Sequence, residues 1–144
     1  MSTLLWRDAV VVVTGASSGI GADFARQVAP DARCVVLVAR RVERLESLAA
    51  ELRAAHPALA VDVRPCDLGD SAAVTALAAA LLDSHGRVDV LINNAGIMAV
   101  PYGHTRDGFE MQLGTNHMGH FALTGLLLPR LIEAGSARVV NVAS

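Results

Sequence analysis

The chain has 144 residues, of which 53% are hydrophobic, 18% charged and 3% aromatic, with a formal net charge of −2. That length holds one domain with one buried core, and that hydrophobicity excludes a disordered tail. A near-neutral chain with so few aromatic rings lacks the basic surface and the stacking platforms of a nucleic-acid binder.

The chain alternates strand, turn and helix. Ala9 to Val13 is a continuous β-branched run, which suits a parallel strand covered on both faces. Thr14 to Gly21 is a turn of small residues, and Ile20 to Ala29 reads as a helix stopped near Pro30. Cys34 to Ala39 is the second strand. Val42 to Ala55 is a helix with apolar residues at Val42, Leu45, Leu48, Ala49 and Leu52, ended by His56-Pro57. Ala60 to Pro65 is a weaker third strand, and Ser71 to Ser84 an alanine-rich helix with Asp70 or Ser71 as its cap. Val88 to Ile92 is the fourth strand, followed by loop from Asn93 to Gly103. Asp107 and Glu110 have capping-box spacing, so a helix is expected from there to about Ala134, with a break near Gly114 or Gly119 and a stop at Gly135. Arg138 to Val142 is the fifth strand. Residues 1–144 therefore read as a single α/β domain, a parallel sheet with right-handed crossovers. The chain stops at the sheet edge where open α/β folds bind ligands, and it reads as the N-terminal part of something longer.

The apolar stretch from Phe121 to Ile132 is interrupted by Thr124, Gly125 and Pro129, and is too short for a membrane span of roughly 20 apolar residues. The segment from Met1 to Arg7 has neither the basic start nor the apolar run of a secretory leader. Cys34 opens one strand and Cys66 closes its neighbour, so they lie at opposite sheet ends. Free thiols in a reducing, cytoplasmic compartment are expected.

The segment Thr14-Gly15-Ala16-Ser17-Ser18-Gly19-Ile20-Gly21 follows a strand and opens a helix. Glycines there let a pyrophosphate approach the main chain, and the helix start offers unpaired N–H groups. The spacing is Gly-x-x-x-Gly-x-Gly, and the absence of Gly-Lys-Ser/Thr excludes a P-loop. The second strand ends in Arg40-Arg41, about 20 residues after Gly21, where an acid would hold a ribose 2′-hydroxyl and an arginine a 2′-phosphate. Arg40 therefore favours NADP over NAD. Asp67-Leu68 sits at the same sheet edge, where the carboxylate can accept from an adenine amino group. Asn93-Asn94-Ala95-Gly96 ends the fourth strand at the point where the strand order switches, in the crevice of such folds.

These motifs, with Asn116 and the closing Val139-Val140-Asn141-Val142-Ala143-Ser144, resemble the short-chain dehydrogenase/reductase family from about residue 8 to the last residue. Residues 105–121 are similar to its retinol-dehydrogenase-like branch, whereas residues 8–96 look more like generic bacterial reductases, as in a hybrid joined near Asn93–Gly96. The resemblance implies a Rossmann-like doubly wound sheet of order 3-2-1-4-5, incomplete after the fifth strand. It implies cofactor contacts at Gly15, Ser17, Ser18, Gly19, Ile20, Gly21, Arg40, Asp67, Leu68, Asn94, Ala95 and Gly96. It also implies hydride transfer between NADP(H) and a small carbonyl/alcohol substrate, and dimerisation through the helix around 107–134.

Of the family's Asn-Ser-Tyr-Lys set, the resemblance assigns Asn116 and Ser144. The Tyr-x-x-x-Lys pair has no match here, because all 12 basic residues are arginine and the one tyrosine, Tyr102, precedes Asn116. The chain is therefore expected to be inactive alone, and a catalytically dead dinucleotide-binding or scaffold module is the alternative. A methyltransferase-type Rossmann domain is a weaker reading, opposed by Arg40 and Asn93–Gly96. His104, His117 and His120 read as packing or surface residues rather than metal ligands. Trp6 reads as a packing residue, and Met98 and Met111 as apolar contacts.

Overall fold

The computed structural model describes residues 5–143. Five strands form one parallel sheet: β1 (Val10–Thr14), β2 (Cys34–Ala39), β3 (Ala60–Pro65), β4 (Val90–Asn93) and β5 (Arg138–Asn141). Their order is β3-β2-β1-β4-β5, the doubly wound order that the family resemblance implied. Helices α1 (Gly19–Val28), α2 (Val42–Ala55) and α3 (Ser71–Ser84) connect the strands in turn. A composite helix precedes β5: α4 (Met111–Leu113), a π-helical stretch (Gly114–Met118) and α5 (Gly119–Glu133).

Alternation along the strands divides the core into two layers. Val11, Val13, Val35 and Leu37 point to one face, where Ala22, Ala25 and Val28 of α1 and Leu45, Leu48 and Leu52 of α2 cover them. Val10, Val12, Val36 and Val38 point to the other, beneath Val74, Leu77 and Leu81 of α3 and Leu123, Leu127 and Leu131 of α5. Burial of each valine or leucine among these contributes about 1.5–3 kcal/mol before entropy is counted.

β2, α2, β3 and α3 begin and end where the sequence places them. Asp70 caps α3, its carboxylate accepting from the amides of Ala72 and Ala73 at 3.0 and 3.3 Å. β4 starts at Val90 rather than Val88, because the Val88 amide donates to the carbonyl of Arg130 at 3.4 Å instead of joining the sheet. The Asp89 carboxylate accepts from the Val10 amide at 2.8 Å, in place of a ladder bond.

The largest departure is the expected capping box at Asp107 and Glu110. Asp107 turns away from its own helix and accepts from the Ser71 amide and hydroxyl, at 3.2 and 2.8 Å, at the start of α3. Glu110 is the cap, accepting from the amides of Gln112 and Leu113 at 3.0 and 2.9 Å. Those amides hold its carboxyl below the ordinary value. The break expected near Gly114 or Gly119 is the π-helical stretch, bounded by both glycines. A Cβ on Gly114 would run into the methyl group of Thr105, and one on Gly119 into the carbonyl of Leu68. Gly135 stops α5 in the left-handed region, at φ +79°. Among the described residues no helix is long and apolar enough to cross a membrane. Cys34 and Cys66 are buried free thiols at opposite ends of the β2–β3 pair, and burial pushes each up to about 11.

Candidate dinucleotide site

The site grows from Thr14, the buried last residue of β1. Its hydroxyl oxygen accepts from the amides of Asn94 and Ala95 at 2.9 and 3.0 Å. The Asn94 side-chain amide donates back to the Thr14 carbonyl at 3.1 Å. β1 and the loop after β4 are thus laced together at the switch point of the sheet. Gly15 follows with φ +68°, and a Cβ on it would lie 2.8 Å from both the Ala95 Cα and the Asn94 amide nitrogen, so no other residue fits. Gly21 is equally constrained: a Cβ there would collide with the Gly15 carbonyl. This glycine holds α1 against the turn rather than touching the crevice.

The start of α1 has the features of an anion site. Its N-cap, Ser18, is fully extended and makes no side-chain bond to the helix. The Ser18 and Ser17 hydroxyls instead accept from the Arg41 guanidinium at 3.0 and 3.2 Å. No side chain therefore caps the leading N–H groups of α1, which sit at the positive end of the helix dipole. Gly19, at φ +56°, has no atom within 4 Å of where a Cβ would stand, so the backbone there is open to close approach. A dinucleotide's phosphates fit this cradle on chemistry and on space.

One crevice of about 210 Å³ collects most of the residues that the sequence singles out. Gly15, Ser17 and Ser18 form its floor, Arg40 stands at the end of β2, Asp67 and Leu68 follow β3, and Asn94, Ala95 and Gly96 form the far wall. Asp67, the one carboxylate in the lining, accepts from the Gly69 amide at 2.9 Å. Ile20 lies outside the crevice, 61% exposed on the first turn of α1. Val38, Ala39, Arg41, Cys66, Ile97 and Thr115 also line it and were not foreseen. Arg41 was legible beside Arg40. Thr115 is a buried residue of the π-helical stretch, close to Gly69. Cys66 is a protonated thiol near neutral pH and supplies no nucleophile.

Asn116 is not among the lining residues of that crevice but packs against two that are, Gly96 and Ile97, and it borders a second concavity between α5 and β5. Its side chain grips Ile97 with both arms. The oxygen accepts from the Ile97 amide and the nitrogen donates to the Ile97 carbonyl, each at 2.8 Å. Ser144 lies outside the described residues. Tyr102 is 82% exposed, edge-on to His104 with ring centres 5.2 Å apart. Met98 is 83% exposed and makes no core contact, contrary to the sequence reading. Trp6 packs against the α1/α2 core layer, as read. Among the described residues no group of three metal-ligating side chains lies together. His120 is buried and paired with Thr14 and the Asn116 carbonyl.

This sheet order, with a glycine turn at the switch point and an uncapped helix start facing a crevice, defines a Rossmann-like dinucleotide fold. The chain belongs to the short chain dehydrogenase family, whose model matches residues 9–144. Human retinol dehydrogenase 11 is 46% identical over 143 residues, covering 99% of this chain and 45% of that one. The chain thus spans less than half the length of that relative. A crystal structure of an uncharacterized protein from Mycobacterium paratuberculosis superposes with a TM-score of 0.80 at 48% identity, over 96% of this chain and 47% of that one. A metagenomic short-chain oxidoreductase in complex with NADP gives a TM-score of 0.82 at 35% identity, over 97% and 64%. The match to retinol dehydrogenase 11 covers both sides of Asn93–Gly96.

Proposed function

We propose that this chain forms the cofactor-binding part of an NADP(H)-preferring oxidoreductase acting on a carbonyl/alcohol pair. The observation that carries the preference is the end of β2. Arg40 borders the crevice there with no carboxylate beside it, and Arg41 is braced on Ser17 and Ser18. An arginine in that place suits a 2′-phosphate, whereas a free 2′-hydroxyl calls for an acid. The NADP held by the metagenomic relative supports the reading. So does the 46% identity to a protein named as a retinol dehydrogenase, which favours an alcohol or aldehyde as the reacting group.

In this proposal the bound nucleotide supplies the hydride. The chain's own residues bind and orient. The α1 start and Gly19 receive the pyrophosphate, Arg40 the 2′-phosphate, and Asp67 the adenine amino group. The wall of Asn94, Ala95 and Gly96 fixes how deeply the nucleotide sits. Asn116, with one lone pair and one N–H left after gripping Ile97, can hold a water for a proton relay. Ser144 is proposed to hydrogen-bond the substrate oxygen.

No lysine occurs in these 144 residues, and Tyr102 lies on an exposed loop. General acid catalysis is typically worth 10²–10⁴-fold, so the chain alone binds nucleotide without turning over substrate at a family-like rate.

Arg40→Asp tests the reading. A charge-assisted contact contributes about 1.5–3 kcal/mol, so the NADPH/NADH affinity ratio, by calorimetry, should fall at least tenfold. Equal affinities for the two nucleotides in the unmutated chain would overturn the preference. NADPH oxidation with a panel of aldehydes that survives purification and is lost in a Ser144→Ala chain would overturn the inactivity.

A further inference from the structure

The buried hydrogen bonds around Thr14 fix the state of His120. The Thr14 hydroxyl oxygen has two lone pairs and one proton. The amides of Asn94 and Ala95, at 2.9 and 3.0 Å, fill both lone pairs. What remains is the hydroxyl proton. Its nearer partner is the Nε2 of His120 at 2.8 Å, against 3.3 Å for the Ile92 carbonyl. Nε2 must then accept, so the imidazole proton sits on Nδ1. There it donates to the Asn116 carbonyl at 3.0 Å. Each atom in the chain Asn116–His120–Thr14–Asn94 has one role, and only the neutral Nδ1–H ring satisfies all of them.

We propose that His120 is a positioning residue: as a neutral Nδ1–H imidazole it struts the turn that carries Asn116 against Thr14 and the Asn94–Ala95 wall of the crevice. The proposal rests on the dinucleotide reading for its effect on binding, and on hydrogen-bond accounting alone for the state of the ring. A second proton would place an N–H against an oxygen whose lone pairs are already filled. The strut would then open, and the hydroxyl would have only the longer bond to Ile92. Around the ring, β1 presents Thr14, β4 presents Asn93, the π-helical stretch presents Asn116 and His117, and β5 presents Asn141. Of these only His117 is an ionisable side chain, and among the described residues lining this concavity there is no carboxylate to stabilise an imidazolium. Burial holds His120 below the ordinary histidine value of 6.5, opposed by the bond to the Asn116 carbonyl and, to a smaller degree, aided by His117.

The sign follows from that lowering. As pH falls below about 6.5 the unfolded chain takes up the proton first, so stability drops until the folded-state value is passed. Crevice affinity drops only at still lower pH, where the folded ring itself takes up the proton and the strut opens.

The test uses the chain as it is, with His120→Gln as the variant, since an amide can accept from Thr14 but cannot titrate. A long-range proton–nitrogen spectrum of the labelled chain, with the His120 signals identified by their loss in the variant, should show the Nδ1–H form at pH 7.5. An Nε2–H or charged ring would overturn the proposal. NADP⁺ affinity is then compared between pH 8 and the lowest pH at which both proteins remain folded. The ligand's own phosphate titrates in this range for both proteins, so the readout is the parent-to-variant ratio of Kd. That ratio should rise at least fivefold toward acid, with the parent's melting temperature falling relative to the variant over the same range. A constant ratio and parallel melting curves would overturn the positioning role. If the parent binds no NADP⁺ at any pH, the dinucleotide reading fails, while the spectrum and the melting curves still decide the role of His120.

Discussion

β1 and β5 flank the same strand, β4, in parallel, and both are rich in valine. Every residue of β1 is buried, while every residue of β5 is exposed, with Val139 and Val140 at 41% and 40%. The difference comes from neighbours, not from composition. β1 has a strand on each side and helices over both faces. β5 is paired on one side only among the described residues. Hydrogen bonding differs in the same way. At the head of β1, Thr14 uses both lone pairs and its proton. At the head of β4, facing β5, the Asn93 side chain donates to Thr124 and Asn141, but its buried oxygen has no partner among the described residues. A finished crevice and an unfinished face thus sit on the two sides of one strand. The proposed nucleotide crevice lies on the first side, and among the described residues no strand pairs the outer edge of β5.

The comparison breaks if the two sides respond alike to truncation. Leu91 and Val139 are register partners across β4 and β5. Leu91, fully buried, should lose about 2–5 kcal/mol on Leu91→Ala, and Val139→Ala less than about 1 kcal/mol, by urea unfolding. Losses of similar size would mean that β5 is covered in solution. A smaller effect sharpens the point. The exposed edge and apolar face of β5 should drive self-association, which Val140→Lys should reduce by charging an open strand. Sedimentation velocity that shows a monodisperse monomer before the substitution would contradict this.

Much of the crevice was legible because its parts are local. The glycine turn, Arg40, Asp67 and Asn93–Gly96 each sit at a strand end, and period-two and helical patterns locate strand ends. Arg41 was passed over because its partners, Ser17 and Ser18, lie more than twenty residues away and meet it only when β1 and β2 pair. Asp107 was misassigned for the same reason. Its spacing to Glu110 suits a capping box, yet its partner is Ser71, brought close by packing. The π-helical stretch left a local trace in Gly114 and Gly119, but its register depends on Thr105 and Leu68 filling the space those glycines leave. His120 looked like a packing residue, and its pairing with Thr14 spans 106 residues of sequence.

The most direct measurement is an amide proton–nitrogen map of the labelled chain during NADPH titration. Signals of Ser17, Ser18, Gly19, Arg40, Asp67 and Asn94 should move together with one saturating curve, while those of Leu128, Ile132, Val139 and Val140 stay in place. Shifts confined to the α5–β5 side, or no saturable shift at the glycine turn, would contradict the claim that this crevice binds the nucleotide.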